Sequence, residues 1–190
     1  MPQINCQLLT GYDKNTKKIL AERLTDATCS AIGTNPALIT VAISEISPEN
    51  YMRDRSQKQP SKAPPLADKI ISKYLKAMEE RDINLAKSFL NSEILIKCPG
   101  GFNFHSLEDF IEWAKTRYQS IKKAIETIDL SFSGTETFAY CHGTLNGKWL
   151  DGSTFVNVRF IDKFHLRESR IFRQEIWNCL LYTSPSPRDA

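Results

Sequence analysis

Polar and apolar positions alternate from the start of the chain. Ile4, Cys6 and Leu8 fall on one face of a short segment and Gln3, Asn5 and Gln7 on the other, the period-two signature of a strand buried on one side. Thr10-Gly11-Tyr12-Asp13 interrupts the pattern. Leu20, Leu24, Ala27 and Ala31 then recur at helical spacing, with Asp13 placed to cap the helix and Gly33 to end it in a left-handed turn. Alternation resumes over residues 38–45, where Ile39, Val41 and Ile43 oppose Thr40, Ala42 and Ser44. Strand, helix and strand of these lengths form a crossover, so parallel strands and a right-handed connection are expected. A unit of fewer than ~60 residues with a two-stranded sheet encloses little apolar surface, so self-association is expected to complete it.

The stretch QKQPSKAPP, with three prolines in nine residues, reads as an extended spacer of roughly 30 Å and sets a linker at 57–66 between domains 1–56 and 67–178. Beyond it Ile70, Ile71, Tyr74, Leu75 and Met78 form a helical stripe, and Asp82 caps a second helix carrying Leu85, Ala86, Phe89 and Leu90. Residues 94–98 alternate as a short strand. Cys98-Pro99-Gly100-Gly101 is a turn that lacks the lysine or the glycine spacing of a phosphate loop. Ser106, with Asp109 three residues on, opens a helix whose inner face is Leu107, Phe110, Ile111, Ala114 and Tyr118. Strands are predicted over 125–133, 137–149, 154–165 and 170–178, with Asp151-Gly152 as a two-residue hairpin turn. Helices followed by an antiparallel sheet make the fold class α+β.

Composition narrows the partners. The 190 residues are 41% hydrophobic and 25% charged, an ordinary globular balance, and the net charge of +3 is spread along the chain without a footprint for nucleic acid or an anionic membrane. No signal pattern and no apolar run of ~20 residues is present, which points to the cytoplasm. Five scattered cysteines without a Cys-x-x-Cys pair read as reduced thiols, and three histidines without ligand spacing give no metal site; no cofactor is expected. The string CLLYTSPSPRD, beginning at Cys179, resembles a translated sequencing adapter. Residues 179–190 are therefore expected to be an artefactual, disordered tail, with the natural chain continuing differently after Asn178.

Candidate chemistry begins at Met1-Pro2. Loss of the methionine turns Pro2 into a terminal secondary amine, a group that titrates near pH ~8 and lower when apolar neighbours disfavour its charge, so it could shuttle protons at neutral pH. Met1-Pro2, the strand, the Leu9-Thr10-Gly11 turn, the helix around Ala21-Glu22-Arg23-Leu24-Thr25-Asp26-Ala27 and the segment from Val41 to Pro48-Glu49-Asn50-Tyr51 together resemble the 4-oxalocrotonate tautomerase family. The resemblance implies an oligomer of βαβ units in which the amino-terminal proline is the general base for keto-enol proton transfer. It implies a substrate pocket at Tyr12, Thr40, Tyr51 and Arg53. Tyr12 and Thr40 stand where the namesake enzymes carry carboxylate-clamping arginines, which argues against a dicarboxylate substrate. Tyr51 falls at an aromatic wall position that keeps the pocket apolar. Arg53 with Arg55 supplies a cation, or the Arg-Asp-Arg run is a solvated turn. The segment lacks the glycine-rich hairpin of hexameric members and is closer to the dimeric branch, so a dimer is favoured.

Pro99-Gly100-Gly101, Ser106-Leu107-Glu108, Arg117-Tyr118, Gly143-Thr144-Leu145, Arg159-Phe160-Ile161-Asp162 and Ile176-Trp177-Asn178 resemble the SnoaL-like branch of the nuclear transport factor 2-like superfamily. That resemblance implies a curved antiparallel sheet wrapped by helices into a cone with an apolar pocket, a fold that hosts isomerases, cyclases and non-catalytic binding proteins. Candidate polar groups of the pocket are His142, Arg159, Asp162, Arg173 and Glu175. Asp162 shares a strand face with Val156, Val158, Phe160 and Phe164; it is either a base of raised pKa or the partner of Arg159 or Arg173. His142 is an acid-base group or a packing residue, and Trp113, Trp149 and Trp177 belong to core and rim. The expected function is a tautomerase-type isomerase acting on a small carbonyl compound or hydrophobic metabolite. The alternatives are a non-catalytic small-molecule-binding or assembly protein, and isomerase or cyclase chemistry in the second pocket.

Overall fold

A computed structural model describes residues 1–180 and divides into two compact units, the first spanning Met1–Ala63 and the second starting at Pro64. The division falls inside the Pro-rich segment. The ten residues 181–190, most of the expected tail, lie outside the described residues.

In the first unit β1 (Gln3–Leu9) pairs in parallel with β2 (Thr40–Ile46), in continuous register from Gln3 opposite Thr40 to Leu9 opposite Ile46. The helix α1 (Lys14–Ile32) joins them. Asp13 accepts from the Thr16 amide at 2.7 Å, and Gly33, in the left-handed region, donates to the Cys29 carbonyl at 2.9 Å. The second strand starts later than the alternation suggests, because Asn35 caps a one-turn 3-10 helix over Pro36–Leu38 whose φ the proline fixes. A short hairpin, β3 (Met52–Arg53) with β4 (Ser56–Gln57), follows Tyr51. The hairpin contains no glycine: Asp54 and Arg55 take φ of 52° and 54°, the double left-handed turn that glycine usually supplies. No side chain of this unit is fully buried, and α1 contributes none to a core.

The second unit holds α2 (Ala67–Glu79), α3 (Ile83–Ser88), β5 (Leu90–Lys97), β6 (Asn103–Phe104), α4 (Leu107–Lys115), β7 (Tyr118–Ser133), β8 (Glu136–Trp149), β9 (Thr154–Arg167) and β10 (Arg170–Asn178). Its six-stranded sheet has the order β6-β5-β10-β9-β8-β7. One pair departs from the antiparallel expectation. β5 and β10 run parallel, which is open to them because no hairpin joins them. Helices and sheet enclose a core in which Tyr74 meets Phe164 edge to face at 6.1 Å, with Ile71, Ile96, Leu107, Leu145 and Ile171 buried around them.

Bulges change which residues face inward. In β9, Asn157 at φ 56° adds a residue between the pairs Leu145–Val158 and Gly147–Phe155, so Phe155 is buried and Val156 is 67% exposed, not on the inner face with Asp162. In β7 the register shifts between Ile125 and Thr127, opposite Gly143. The β8–β9 connection is one residue longer than expected. The Trp149 amide donates to the Ser153 carbonyl at 2.8 Å and the Gly152 amide to the Trp149 carbonyl at 3.1 Å, a three-residue loop with Gly152 at φ 86°.

Among the described residues no helix is long and apolar enough to cross a membrane. At Gly143 and Gly147 the sheet tolerates no side chain, because a Cβ would overlap the carbonyl oxygens of Ala124 and Ser120. Gly143→Ala is expected to lower stability by about 1–3 kcal/mol, read as a shift of the urea midpoint at unchanged slope.

Candidate functional site

Pro2 stands at the head of β1, half-buried, and its carbonyl accepts from the Thr40 amide at 3.1 Å. Parallel pairing thus fixes the first residue of the sheet against the first residue of β2. Met1, outside the ladder, is 90% exposed. Tyr51 and Arg53 form a second pair, in which Arg53 donates to the Tyr51 hydroxyl from Nε at 3.2 Å and from Nη2 at 2.8 Å. With both acceptor sites taken, the Tyr51 hydroxyl keeps its own proton free to donate. Asp54 and Arg55 are the solvated turn. Tyr12 is half-buried just after Gly11, and Thr40 is exposed. Among the described residues no hydrogen bond or ion pair joins Pro2 or Thr40 to Tyr51 or Arg53, so the unit holds two polar pairs rather than one closed site.

The second unit contains a cavity of about 230 Å³ between α2, α4 and the inner sheet face. Of the five pocket candidates only Asp162 lines it. His142 lies between the buried Cys141 and Gly143 and so points to the outer face, with Nδ1 3.6 Å from Glu126 and Nε2 3.9 Å from Asp129. Arg159 is exposed beside the inward Phe160. Arg173 and Glu175 alternate with the cavity residues Gln174 and Ile176 and pair with each other at 2.7 Å. Strand alternation is the reason in each case, since between the bulges only one parity of β8, β9 and β10 faces inward.

Asp162 is fully buried, and its partner is neither Arg159 nor Arg173 but Lys123 of β7, which donates to Oδ2. Gln174 Nε2 donates to the same oxygen at 3.0 Å, and Tyr74 Oη donates to Gln174 Oε1 at 2.9 Å. Oδ1 is buried without a hydrogen-bond partner among the described residues. The network perturbs its neighbours. Burial raises the Tyr74 hydroxyl far above its ordinary range, and the Asp162 charge adds to this. Burial lifts the Cys98 thiol to about 12, helped by Asp162 and opposed by Lys123 and Arg117. Tyr118 rises to about 12 and Cys141 to about 11, again chiefly by desolvation.

Lys123, Gln174 and Tyr74 were not among the candidates. Tyr74 carries a recognisable helical stripe position, but nothing in that stripe reports what its hydroxyl touches. Lys123 sits at an inward position of a bulged strand, where a charge breaks the pattern that would reveal it. The remaining aromatic wall is Trp113, packed at 5.3 Å on Phe104 and 6.1 Å on Phe110; Trp149 is core and Trp177 is outside. Among the described residues no three His, Cys, Asp or Glu side chains are grouped to hold a metal ion.

Residues 2–58 match the family model described as Tautomerase enzyme. The second unit has the NTF2-like fold. It is similar to an NTF2-like protein of unknown function from Burkholderia pseudomallei, at 13% identity and TM-score 0.52 over 61% of this chain and 92% of that one. It is also similar to TerC, co-crystallised with polyporic acid, at 15% identity and TM-score 0.51 over 61% of this chain and 93% of that one. No curated protein sequence matches the chain.

The buried network gives two expectations. Asp162→Ala strands the Lys123 ammonium and is expected to cost about 3–5 kcal/mol in urea unfolding. The second unit also holds Cys98, Cys141, Tyr74 and Tyr118 neutral, while the unfolded chain ionises them from their ordinary values of 9.0 and 10.0. Their contribution is complete below pH ~9 and is lost as pH rises toward ~12, so midpoints are expected to fall between pH ~7 and ~10.5.

Proposed function

Taking residues 2–58 as a tautomerase unit, we propose that the protein is an isomerase whose base is Pro2, freed by removal of Met1. The observation that carries this is the place of Pro2: the matched stretch begins at that residue, and its backbone is fixed to β2 through Thr40. Met1, at 90% exposure, adds no packing, so its loss costs the fold little. The Pro2 amine takes a proton from the carbon beside a carbonyl, leaving an enolate, and returns a proton to a different atom, so nothing is consumed. Tyr51, its hydroxyl polarised by Arg53, donates to the oxygen on which the enolate charge develops. Tyr12 and Thr40 line the same pocket without a guanidinium clamp, which favours a monocarboxylate or a simple carbonyl compound.

A homo-oligomer, with a dimer favoured, brings the Pro2 and Tyr51 pairs together and covers the half-buried faces of β1, β2 and α1. Free thiols at Cys6, Cys29, Cys98 and Cys141 support a reducing, cytoplasmic setting. Isomerase or cyclase chemistry in the second unit is the weaker reading, because Asp162 is already engaged by Lys123 and Gln174. The TerC complex favours instead a pocket that holds a small molecule.

Intact mass is expected to show Met1 absent, and Pro2→Ala to slow phenylpyruvate ketonisation by at least ~100-fold with the fold retained. Equal rates in the two proteins would sink the Pro2 mechanism, as would a retained methionine.

A further inference from the structure

The Lys123 ammonium has three N–H donors. Asp162 Oδ2 takes one, and the Phe160 ring lies 4.7 Å from Nζ; among the described residues no acceptor takes the other two. Both residues line the cavity, but the Lys123 side chain is 22% exposed and that of Asp162 is 0% exposed, so the cation is the more accessible member of the pair. The balance of the wall has the same sign. Lys123, Arg81 and Arg117 stand against Asp162 and Glu79, and Glu79 is engaged by Lys122 at 3.3 Å. The rest of the wall is largely apolar and aromatic, with Trp113, Ile121, Leu145 and Phe160 among its members.

A partly buried ammonium with two open donors, in a cavity carrying one excess positive charge, is placed to meet an acceptor that enters it. We propose that this cavity is a binding site for a small aromatic monoanion, a carboxylate or enolate on a short arm from one ring. The oxyanion accepts from the two open N–H groups of Lys123, and the ring lies among Trp113 and Phe160. At about 230 Å³ the cavity is smaller than the ~300–1,000 Å³ of drug-sized sites, which limits the occupant to about one ring. Asp162, Gln174 and Tyr74 are positioning residues. The chain from Tyr74 through Gln174 to Asp162 takes one hydrogen of the ammonium and so turns the others toward the cavity. This site lies wholly in the second unit and does not rest on catalysis by Pro2.

Calorimetric titration of the full chain tests it with trans-cinnamate, a ring monoanion that does not enolise, and cinnamyl alcohol, its neutral counterpart. Cinnamate is expected to bind and the alcohol to bind at least ~10-fold more weakly, the worth of a charge-assisted hydrogen bond. Lys123→Met is expected to remove that preference and Lys123→Arg to retain it. Lys123→Met leaves Asp162 buried alone, so the charge-free double variant Lys123→Met with Asp162→Leu serves where the single one does not fold. Pro2→Ala is expected to bind cinnamate unchanged, which separates this site from the first unit. Equal binding of acid and alcohol, binding of neither, unchanged cinnamate affinity in the charge-free variant, or loss of binding in Pro2→Ala would each overturn the proposal.

Discussion

A carboxylate sealed from water must keep its counter-charge, and the second unit is arranged around that requirement. Asp162 on β9 is held by Lys123 two strands away on β7 and by Gln174 on the adjacent β10, with Tyr74 of α2 closing the chain of donors. One polar network therefore spans three strands and ties the helical layer to the sheet. Breaking such a pair costs far more than the pair contributes in total, because a lone buried charge is the alternative. The network links β7 to β9 across the intervening β8, and both to β10 and α2. The bulge opposite Gly143 belongs to the same geometry. It changes the phase of β7 beyond Lys123, while an earlier register shift between Tyr118 and Ser120 lets Tyr118 reach the inner side together with Ile121 and Lys123.

The first unit works under the opposite constraint. Two strands and one helix leave every side chain at least partly accessible, so its catalytic potential cannot come from enclosure within one chain. Lys17 and Glu45 join helix to strand at 2.8 Å, but an ion pair of that exposure adds little stability. A terminal amine works as a base at neutral pH only where its charge is disfavoured, and the half-buried Pro2 of a single unit supplies that environment incompletely. Assembly would supply the rest. The same step would give Tyr51 and Arg53, already paired, a partner surface to face.

Most of this architecture was legible in the chain, and the reasons for the exceptions are local. Asp13, Asp82 and Ser106 cap the helices read from them, because a side-chain oxygen bonding an amide two or three residues on is a purely local event. The phase of β1 and β2 was legible for a similar reason: each has one covered face and one open face, and the alternation records it. The pocket was not legible in this way. Placing His142, Arg159, Arg173 and Glu175 inside it assumes that polar residues near inward positions share the interior, whereas alternation sends them outward. Val156 fails differently. Asn157 accepts a left-handed φ that valine would resist, and one inserted residue moves Val156 to solvent. Lys123 was hidden because a hydrophobic pattern can only miss a charge that belongs inside.

The two units therefore offer complementary halves of carbonyl chemistry. In the proposed mechanism Pro2 generates an enolate, whose charge must be met by a donor as it forms; the group proposed for this is the Tyr51 hydroxyl, which Arg53 already contacts. A neutral donor suits turnover, because an enolate held too tightly stops being an intermediate and becomes a product. The second unit carries a cation in a largely apolar wall, the arrangement on which the proposed anion site rests. In the proposed division of labour the second unit holds an anion, and proton transfer is assigned to the unit that begins with Pro2.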